Sequence, residues 1–289
     1  MINICIPVHN RVDKTISCIE SIKKQAYKNV CVVICNDGST DNTQGIITKR
    51  FPDVVVLSGD GNLWWTGGTN LTVSYSLSHA GNNDFIFTLN NDTELLPDTL
   101  QRLAQTAEKY PHAIIGALNV FFSEPERIEP SAYKVKGGIF FRRMHHRINE
   151  WGEKLQDDLD VVEVDSLSGK GVLFPVSVFR DVGLYNAGKL PHYHADTELV
   201  FRAQRKGYRV YLDYKAKVLS HQELSGLGTV TSKPTVRGFV RSFSSLKSAN
   251  HYKSLKNYCK LLYGKSYRRY LLLHLAKIIL GFVRRFVFR

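Results

Sequence analysis

Residues 30–43 read VCVVICNDGSTDNT, and this stretch decides the fold. Val30–Cys35 is apolar throughout, so it makes a strand buried on both faces rather than one with a wet side. The chain then turns polar at Asn36-Asp37-Gly38-Ser39-Thr40, and Asp41 or Asn42 can cap a helix over 42–50. A buried strand, a short polar loop and a helix form one unit of a mostly parallel sheet covered by helices, which is an α/β fold.

The same rhythm extends in both directions. Ile2–Val8, Val54–Leu57, Phe85–Leu89 and Ala113–Leu118 read as strands, and 12–24, 69–80 and 97–108 as helices. Ile16, Ile19 and Ile22 share one face of the first helix, and Pro97 suits the start of the last. Farther on, strands are expected at Gly137–Phe141, Val161–Asp165, Arg209–Leu212 and Lys217–Leu219, with helices at Phe174–Val182 and Asp196–Lys206. A basic stretch with histidines (Arg142, Arg143, His145, His146, Arg147) lies between the first two of these strands. The Gly/Ser/Thr-rich segment Glu223–Thr235 is the expected boundary between a folded unit, 1–225, and a helical tail, 226–289.

Charge divides the chain at the same place. Net charge is +13, yet no Asp or Glu follows Glu223, whereas 14 Lys and Arg lie between Lys233 and Arg289. The basic excess therefore marks the tail as an appendage, separable near Thr235. Its segment Leu271–Val283 is apolar, too short for the roughly 20 residues of a spanning helix, and flanked by Arg268, Arg269, Arg284, Arg285 and Arg289. That composition suits a helix lying on an anionic membrane surface; packing on the folded unit or in a homodimer is the alternative. So many Leu and Ile argue against nucleic-acid binding. The 5 cysteines are scattered, without a CxxC pair, and read as free thiols of a reducing compartment. Met1-Ile2 leads straight into the first strand with no basic leader, so a cytoplasmic location is expected, peripheral on the inner face of the cell membrane.

In an open parallel sheet, ligands bind beyond the carboxyl ends of the strands. Four polar loops lie there: Pro7-Val8-His9-Asn10-Arg11, Asn36 to Asp41, Gly59 to Asn70, and Asn90-Asn91-Asp92-Thr93. No GxGxxG follows the first strand, and Gly264-Lys265-Ser266 lacks the earlier glycine of a phosphate-binding P-loop. Their absence argues against a dinucleotide enzyme or a P-loop NTPase. Trp64 and Trp65 either stack on a sugar or base or anchor their loop, while Gly67 and Gly68 allow close backbone approach.

IPVHNR, NDGSTDNT, the Gly67-Gly68-Thr69-Asn70 loop and LNNDTELLPD, in that order, resemble glycosyltransferase family 2, with its rhamnosyltransferase-like members and its GT-A fold. LSGKGVLF (167–174) and ADTELVFR (195–202) are similar to the family's later motifs, so the likeness covers about residues 1–225. It implies an inverting hexosyl transfer from a UDP- or dTDP-sugar to a hydroxyl of a glycan or lipid-linked glycan, in cell-surface polysaccharide synthesis. By the resemblance, Pro7, His9, Asn10, Arg11, Asp37, Asn62, Trp65, Gly68, Asn70, Asn90, Asn91 and Asp92 would hold the donor. Asp92, with His221, would hold Mn²⁺ or Mg²⁺; Asp196 would be the general base; and Gly169 and Glu198 would face the acceptor.

Each residue type suits its task, and each has a structural alternative. A carboxylate such as Asp37 accepts donor N–H or O–H groups, or else closes an Asx turn. Mg²⁺ and Mn²⁺ need few protein carboxylates when phosphate supplies the rest, although Asn90 replaces the family's first Asp. Asp196 either takes a hydroxyl proton or caps its helix, and Ala195 replaces a frequent second acid. Arg202 can orient Glu198 at i,i+4. These two departures keep open a catalytically silent sugar-nucleotide-binding or scaffold protein. A sugar nucleotidyltransferase of similar fold would need a Gly-rich basic loop after the first strand, which Pro7–Arg11 does not supply.

Overall fold

A computed structural model describes residues 1–136, 143–145, 159–221 and 235–287. The expected strand Gly137–Phe141, most of the basic histidine-containing stretch and nearly all of the loop Glu223–Thr235 lie outside the described residues. The N-terminal half alternates as expected except for the added strand β5: β1 (Ile2–Val8), α1 (Val12–Lys23), β2 (Val30–Asp37), α2 (Thr43–Arg50), β3 (Val55–Gly59), α3 (Trp64–His79), β4 (Phe85–Thr88), β5 (Thr93–Leu95), α4 (Thr99–Lys109) and β6 (Ala113–Phe121). Then follow β7 (Ala132–Lys136), β8 (Arg143–His145), β9 (Val161–Glu163), β10 (Ser166–Leu167), β11 (Val172–Pro175), α5 (Val176–Val182), α6 (Ala195–Gln204) and β12 (Arg209–Ser220). The C-terminal part holds α7 (Val236–Ser242), α8 (Tyr252–Tyr263) and α9 (Tyr267–Val287).

The main sheet runs β3-β2-β1-β4-β11-β6-β12-β5, with β9 also on β12; β10-β7-β8 form a small second sheet. β1, β2, β3 and β4 are parallel, as are β6 and β12, whereas β11, β5 and β9 run antiparallel. The sheet is thus mostly parallel, as expected, with six of its nine strands in one direction and the antiparallel β11, β5 and β9 making it mixed beyond β4. Two expectations are corrected here. Phe174 belongs to a strand, because Val172–Pro175 pairs with both β4 and β6 and the helix begins only at Val176. Trp64 and Trp65 form the first turn of α3 rather than a loop.

Alternation along β1 explains the two cores. Ile4 and Ile6 point to one face, with Ile19, Ile22, Ile47, Leu100 and Leu103 of α1, α2 and α4. Cys5 points to the other, which Val73, Phe179 and Leu199 of α3, α5 and α6 also cover. β12 bends at a bulge between Asp213 and Lys217. Asp213 fills that bulge by accepting from the Lys215 and Ala216 N–H groups (2.9 and 3.1 Å) and from Thr106 Oγ1 (2.6 Å). The bend carries Ser220 and His221 to the loop after β4, where the His221 N–H meets the Asp92 carbonyl at 3.1 Å.

The charge boundary is not a packing boundary. Leu255, Tyr258 and Cys259 of α8 and Leu271 of α9 are buried in the same core as Leu199, Ala203 and Tyr214. Arg205 of the segment after α6 donates to the Leu262 carbonyl at 2.6 Å, and Asn257 to the Lys189 carbonyl at 3.1 Å. The tail is therefore no simple appendage. Burying a Leu- or Phe-sized side chain stabilises by about 1.5–3 kcal/mol, so losing several together approaches the net stability of an ordinary domain, about 5–15 kcal/mol. Truncation after residue 234 is expected to abolish cooperative thermal unfolding and soluble expression. Truncation after Ile278 should keep both, as differential scanning fluorimetry of the two proteins will show.

Candidate active site

Asp37 organises the cavity mouth. Its side chain, 5% exposed, accepts from three main-chain N–H groups: Gly61 at 2.8 Å, Leu63 at 3.0 Å and Trp64 at 3.1 Å. These bonds cap the start of α3, where Trp64 takes a φ of 57°. The carboxylate is committed first to its own protein, as an Asx-type anchor. Asn10 does similar work, accepting from Thr40 N–H (2.7 Å) through Oδ1 and donating its own N–H to Ser39 Oγ (2.7 Å). His9 donates from Nδ1 to the Asp37 carbonyl at 2.6 Å.

A cavity of about 440 Å³ opens beside these loops, a volume within the usual range for small-ligand sites. Of the residues expected from sequence, Pro7, His9, Arg11, Asp37, Trp65, Asn90, Asn91 and Asp92 line it. Trp65 Nε1 donates to Asn90 Oδ1 at 2.9 Å, and its ring meets Tyr185 edge-on at 5.4 Å. Arg11 reaches Asp92 Oδ2 at 3.2 Å. Asn91 donates to Thr15 Oγ1 at 3.0 Å, fixing the loop after β4 on α1.

Asp196 stands behind Trp65 rather than in the cavity wall. Between them runs Gly169, where a Cβ would lie 2.5 Å from Trp65 Cζ2 and 3.2 Å from Asp196 Cβ. Only glycine lets the main chain pass there. Asp196 Oδ2 accepts from the Gly169 N–H (2.9 Å) and Oδ1 from the Thr197 N–H (2.8 Å). Burial raises its pKa above the usual carboxylate range, opposed by the Thr197 N–H and by His194. His194 in turn stacks on Tyr258 of α8 at 4.8 Å and donates to the Ala249 carbonyl at 2.9 Å.

Several expected residues face elsewhere. Asn70 exchanges hydrogen bonds with the main chain of Tyr185 (2.8 and 3.0 Å), and a Cβ on Gly68 would meet Pro7 and Cys35, so both serve packing of α3. Asn62 stays in its turn, its N–H on Asp60 Oδ1 at 2.8 Å. Glu198 is buried in a bidentate pair with Arg202 (3.0 and 2.8 Å), which also donates to the Leu184 carbonyl. That pairing ties α6 to the loop after α5. His221 accepts at Nδ1 from Lys14 (3.2 Å) and donates from Nε2 to Glu94 (3.0 Å), with Phe122 against its ring at 4.0 Å. Neither nitrogen is left for a cation in this arrangement.

A sequence model described as "Glycosyl transferase family 2" matches residues 3–183. The chain belongs to glycosyl transferase family 2. It is a glycosyltransferase. A similar protein from Mycobacterium tuberculosis H37Rv, N-acetylglucosaminyl-diphospho-decaprenol L-rhamnosyltransferase, is 27% identical over 71% of this chain and 70% of its own. A second, from Campylobacter jejuni, is a GalNAc(5)-diNAcBac-PP-undecaprenol beta-1,3-glucosyltransferase, 22% identical over 88% of this chain and 85% of its own. Staphylococcus aureus TarS 1–349 with UDP superposes with a TM-score of 0.55 at 15% identity, over 99% of this chain and 90% of that one. GalNAc-T7 with UDP, GalNAc and Mn²⁺ gives 0.66 at 12% identity, over 96% and 51%. Both likenesses establish the GT-A fold.

Sequence reasoning misses three lining residues of this glycosyltransferase: His192, Tyr193 and Lys247. His192-Tyr193-His194 directly precedes Ala195-Asp196, and that aromatic cluster is the one available signal. Lys247 has none, because only folding brings the tail to the cavity. It also misses the buried pair of Lys170 with Glu129 (2.7 and 2.8 Å), to which Ser220 Oγ adds a contact of 2.7 Å. That pair fixes the Gly169–Gly171 crossing to the end of β12.

Proposed function

We propose that this glycosyltransferase moves a hexose, with inversion, from a UDP- or dTDP-sugar to a hydroxyl of a lipid-linked glycan in cell-surface polysaccharide synthesis. The observation that carries the reading is a cavity lined by Asp92 and Trp65, with a half-buried carboxylate, Asp196, one glycine behind it. The printed names of the two bacterial relatives, both concerning diphospho-polyprenol substrates, support the acceptor class.

In the step, the acceptor oxygen bonds to the sugar's anomeric carbon while the bond to the diphosphate oxygen breaks, and the nucleoside diphosphate departs with that electron pair. Asp196 takes the hydroxyl proton. A carboxylate with a raised pKa holds a proton better than an ordinary one, which suits a base working near neutrality. Trp65 offers a flat apolar ring beside the reacting groups.

The donor set fits a divalent cation only in part. Among the described residues no group of 3 or more His, Cys, Asp and Glu can hold a metal alone. Asp92 is the one carboxylate of the loop after β4, with one oxygen on Arg11. Mg²⁺ and Mn²⁺ take as few as one carboxylate when phosphate completes the shell, so Asp92 would hold the ion jointly with the donor. Bound there with the donor, such an ion would supply positive charge to the diphosphate.

Thermal stabilisation by a panel of UDP-, dTDP- and GDP-sugars tests the reading, since a ligand of the native state raises its stability. A UDP- or dTDP-sugar should raise the Tm more with Mn²⁺ than with EDTA, and Asp92→Ala should remove that difference. A metal response unchanged in the variant rejects Asp92 as its ligand. For Asp196→Asn, kcat should fall about 10²–10⁴-fold with donor KM little changed. Because the raised pKa makes the base protonated at higher pH than a free Asp, wild-type kcat should fall as pH drops through that pKa, and the variant should lose this acidic limb. Activity within a few-fold of wild type would move the base elsewhere.

We also assign the tail a place on the anionic inner face of the cell membrane. No helix among the described residues is long and apolar enough to cross a membrane. On α9, Leu272, Ile279, Leu280, Val283 and Val287 form one exposed stripe, with Arg268, Arg269, Lys277 and Arg284 beside it. α7 adds exposed Val236 and Val240, joined to α9 through stacking of Phe239 on Phe282 at 4.1 Å. The triple variant Ile279→Ser, Leu280→Ser, Val283→Ser should keep the wild-type Tm yet lose salt-resistant sedimentation with phosphatidylglycerol vesicles. Equal sedimentation of the two proteins at high salt rejects this surface, and self-association lost in the triple variant would identify a homodimer contact instead.

A further inference from the structure

The cavity has a wall that the catalytic motifs do not build. Residues 243–251, between α7 and α8, form a segment closed by its own hydrogen bonds: Tyr252 N–H to the Phe243 carbonyl (2.9 Å), Asn250 Nδ2 to Ser242 Oγ (3.2 Å) and Ser248 N–H to the Ser245 carbonyl (3.1 Å). His194 Nε2 docks the segment from below at the Ala249 carbonyl, at 2.9 Å. From this wall Lys247 lines the cavity beside His192 and Tyr193.

An anionic ligand in this cavity needs positive partners, and the obvious ones are used. The N–H groups of Leu63 and Trp64, at the head of α3, go to Asp37, and that of Thr66 goes to the Pro191 carbonyl at 3.1 Å. The helix start therefore has little left for a phosphate. Arg11 is already set against Asp92. Lys247 forms no ion pair among the described residues, and no Asp or Glu follows Glu223 in the chain to neutralise it locally. Next to it, His192 Nδ1 is buried without a hydrogen-bond partner. A buried polar nitrogen left unbonded is costly. Burial, then the Lys247 ammonium, push His192 down to about 4, so this ring is an uncharged partner near neutral pH.

We propose that Lys247 binds the diphosphate of the nucleotide, beside the uncharged ring of His192, so that the C-terminal segment completes the donor site. This rests on reading the cavity as the sugar-nucleotide site. An ammonium meeting phosphate oxygens acts as a compact point charge, and its effect grows with the number of phosphates it faces.

The test is calorimetric titration of the full chain with UDP, dTDP and GDP and with the matching monophosphates, in Mn²⁺. Wild type should bind one diphosphate more tightly than its monophosphate. Lys247→Gln should weaken that diphosphate about 10-fold and leave the monophosphate within twofold, and Lys247→Arg should recover part of the loss. A diphosphate-to-monophosphate ratio unchanged in Lys247→Gln overturns the proposal, as does an equal loss of both ligands. An unchanged ratio with a raised KM for a lipid-diphosphate acceptor also overturns it, and identifies acceptor phosphate as the partner. A wild-type protein that binds none of the nucleotides rejects the reading of the cavity itself. The Lys247 side chain is exposed, so the variants should share the wild-type Tm, and the ratio within each protein serves as its own control.

Discussion

Three main-chain N–H groups converge on the Asp37 carboxylate, and the geometry of the site descends from that contact. A buried charge is costly unless satisfied, and here backbone dipoles at a helix start satisfy it without a counter-ion. Gly38 and Gly61 make the contact possible: a Cβ on Gly38 would lie 2.7 Å from Gly61 Cα, and both residues have positive φ. With α3 started at that point, Trp65 faces Asn90 on one side and Gly169 on the other. Asp196 then rests against Gly169. One carboxylate that need not touch substrate thereby sets the distance between the donor cavity and the base.

The Gly169–Gly171 crossing is held from its other side by ions. Glu129 is 3% exposed at its side chain and Lys170 12%, so neither charge has much water left. Such a pair adds little net stability over apolar packing, but removing one partner costs about 3–5 kcal/mol, because the other charge stays buried alone. Its effect is positional: Lys170 also contacts Ser220, so β12 and the crossing cannot slide relative to each other. The buried pair and the Asp37 anchor are two different solutions for fixing loops that a hydrophobic core alone would leave loose.

The parallel strands β1 to β4 and β6 are legible because each carries its own local signal, an apolar run ended by a polar loop, whereas β5 (Thr93–Leu95) is three residues long and carries none. β11 was hidden because Val172–Pro175 is short and runs straight into α5, so one apolar stretch serves two periodicities. The motifs include Asp92 and Trp65, which line the cavity, and also Gly68, Asn70 and Glu198, whose contacts are to other parts of the protein. A motif marks what the local fold requires, and packing requirements look the same as binding ones until contacts are seen. Net charge misled most. It separates the tail cleanly, yet Leu255, Tyr258 and Cys259 fall on one helical face at spacings of 3 and 1, which is a packing signal that charge cannot cancel.

The tail's lack of carboxylates has a different consequence at each of its two surfaces. On the outer stripe of α9, basic side chains lie in solvent, where salt screens their field within about 10 Å. Attraction to an anionic leaflet there is additive, about 1 kcal/mol per charge, and no single residue dominates it. At the cavity the argument reverses. Charges out on the stripe are screened from a ligand among His192, Tyr193 and Trp64, so a cation acts on it only by lining the cavity, as Lys247 does. A carboxylate within reach on the same segment would pair with Lys247 and cancel it. Keeping residues 224–289 free of acids thus leaves one charge for the cavity and many along a surface, and attraction to the surface weakens steeply with ionic strength because it is the sum of many screened contributions.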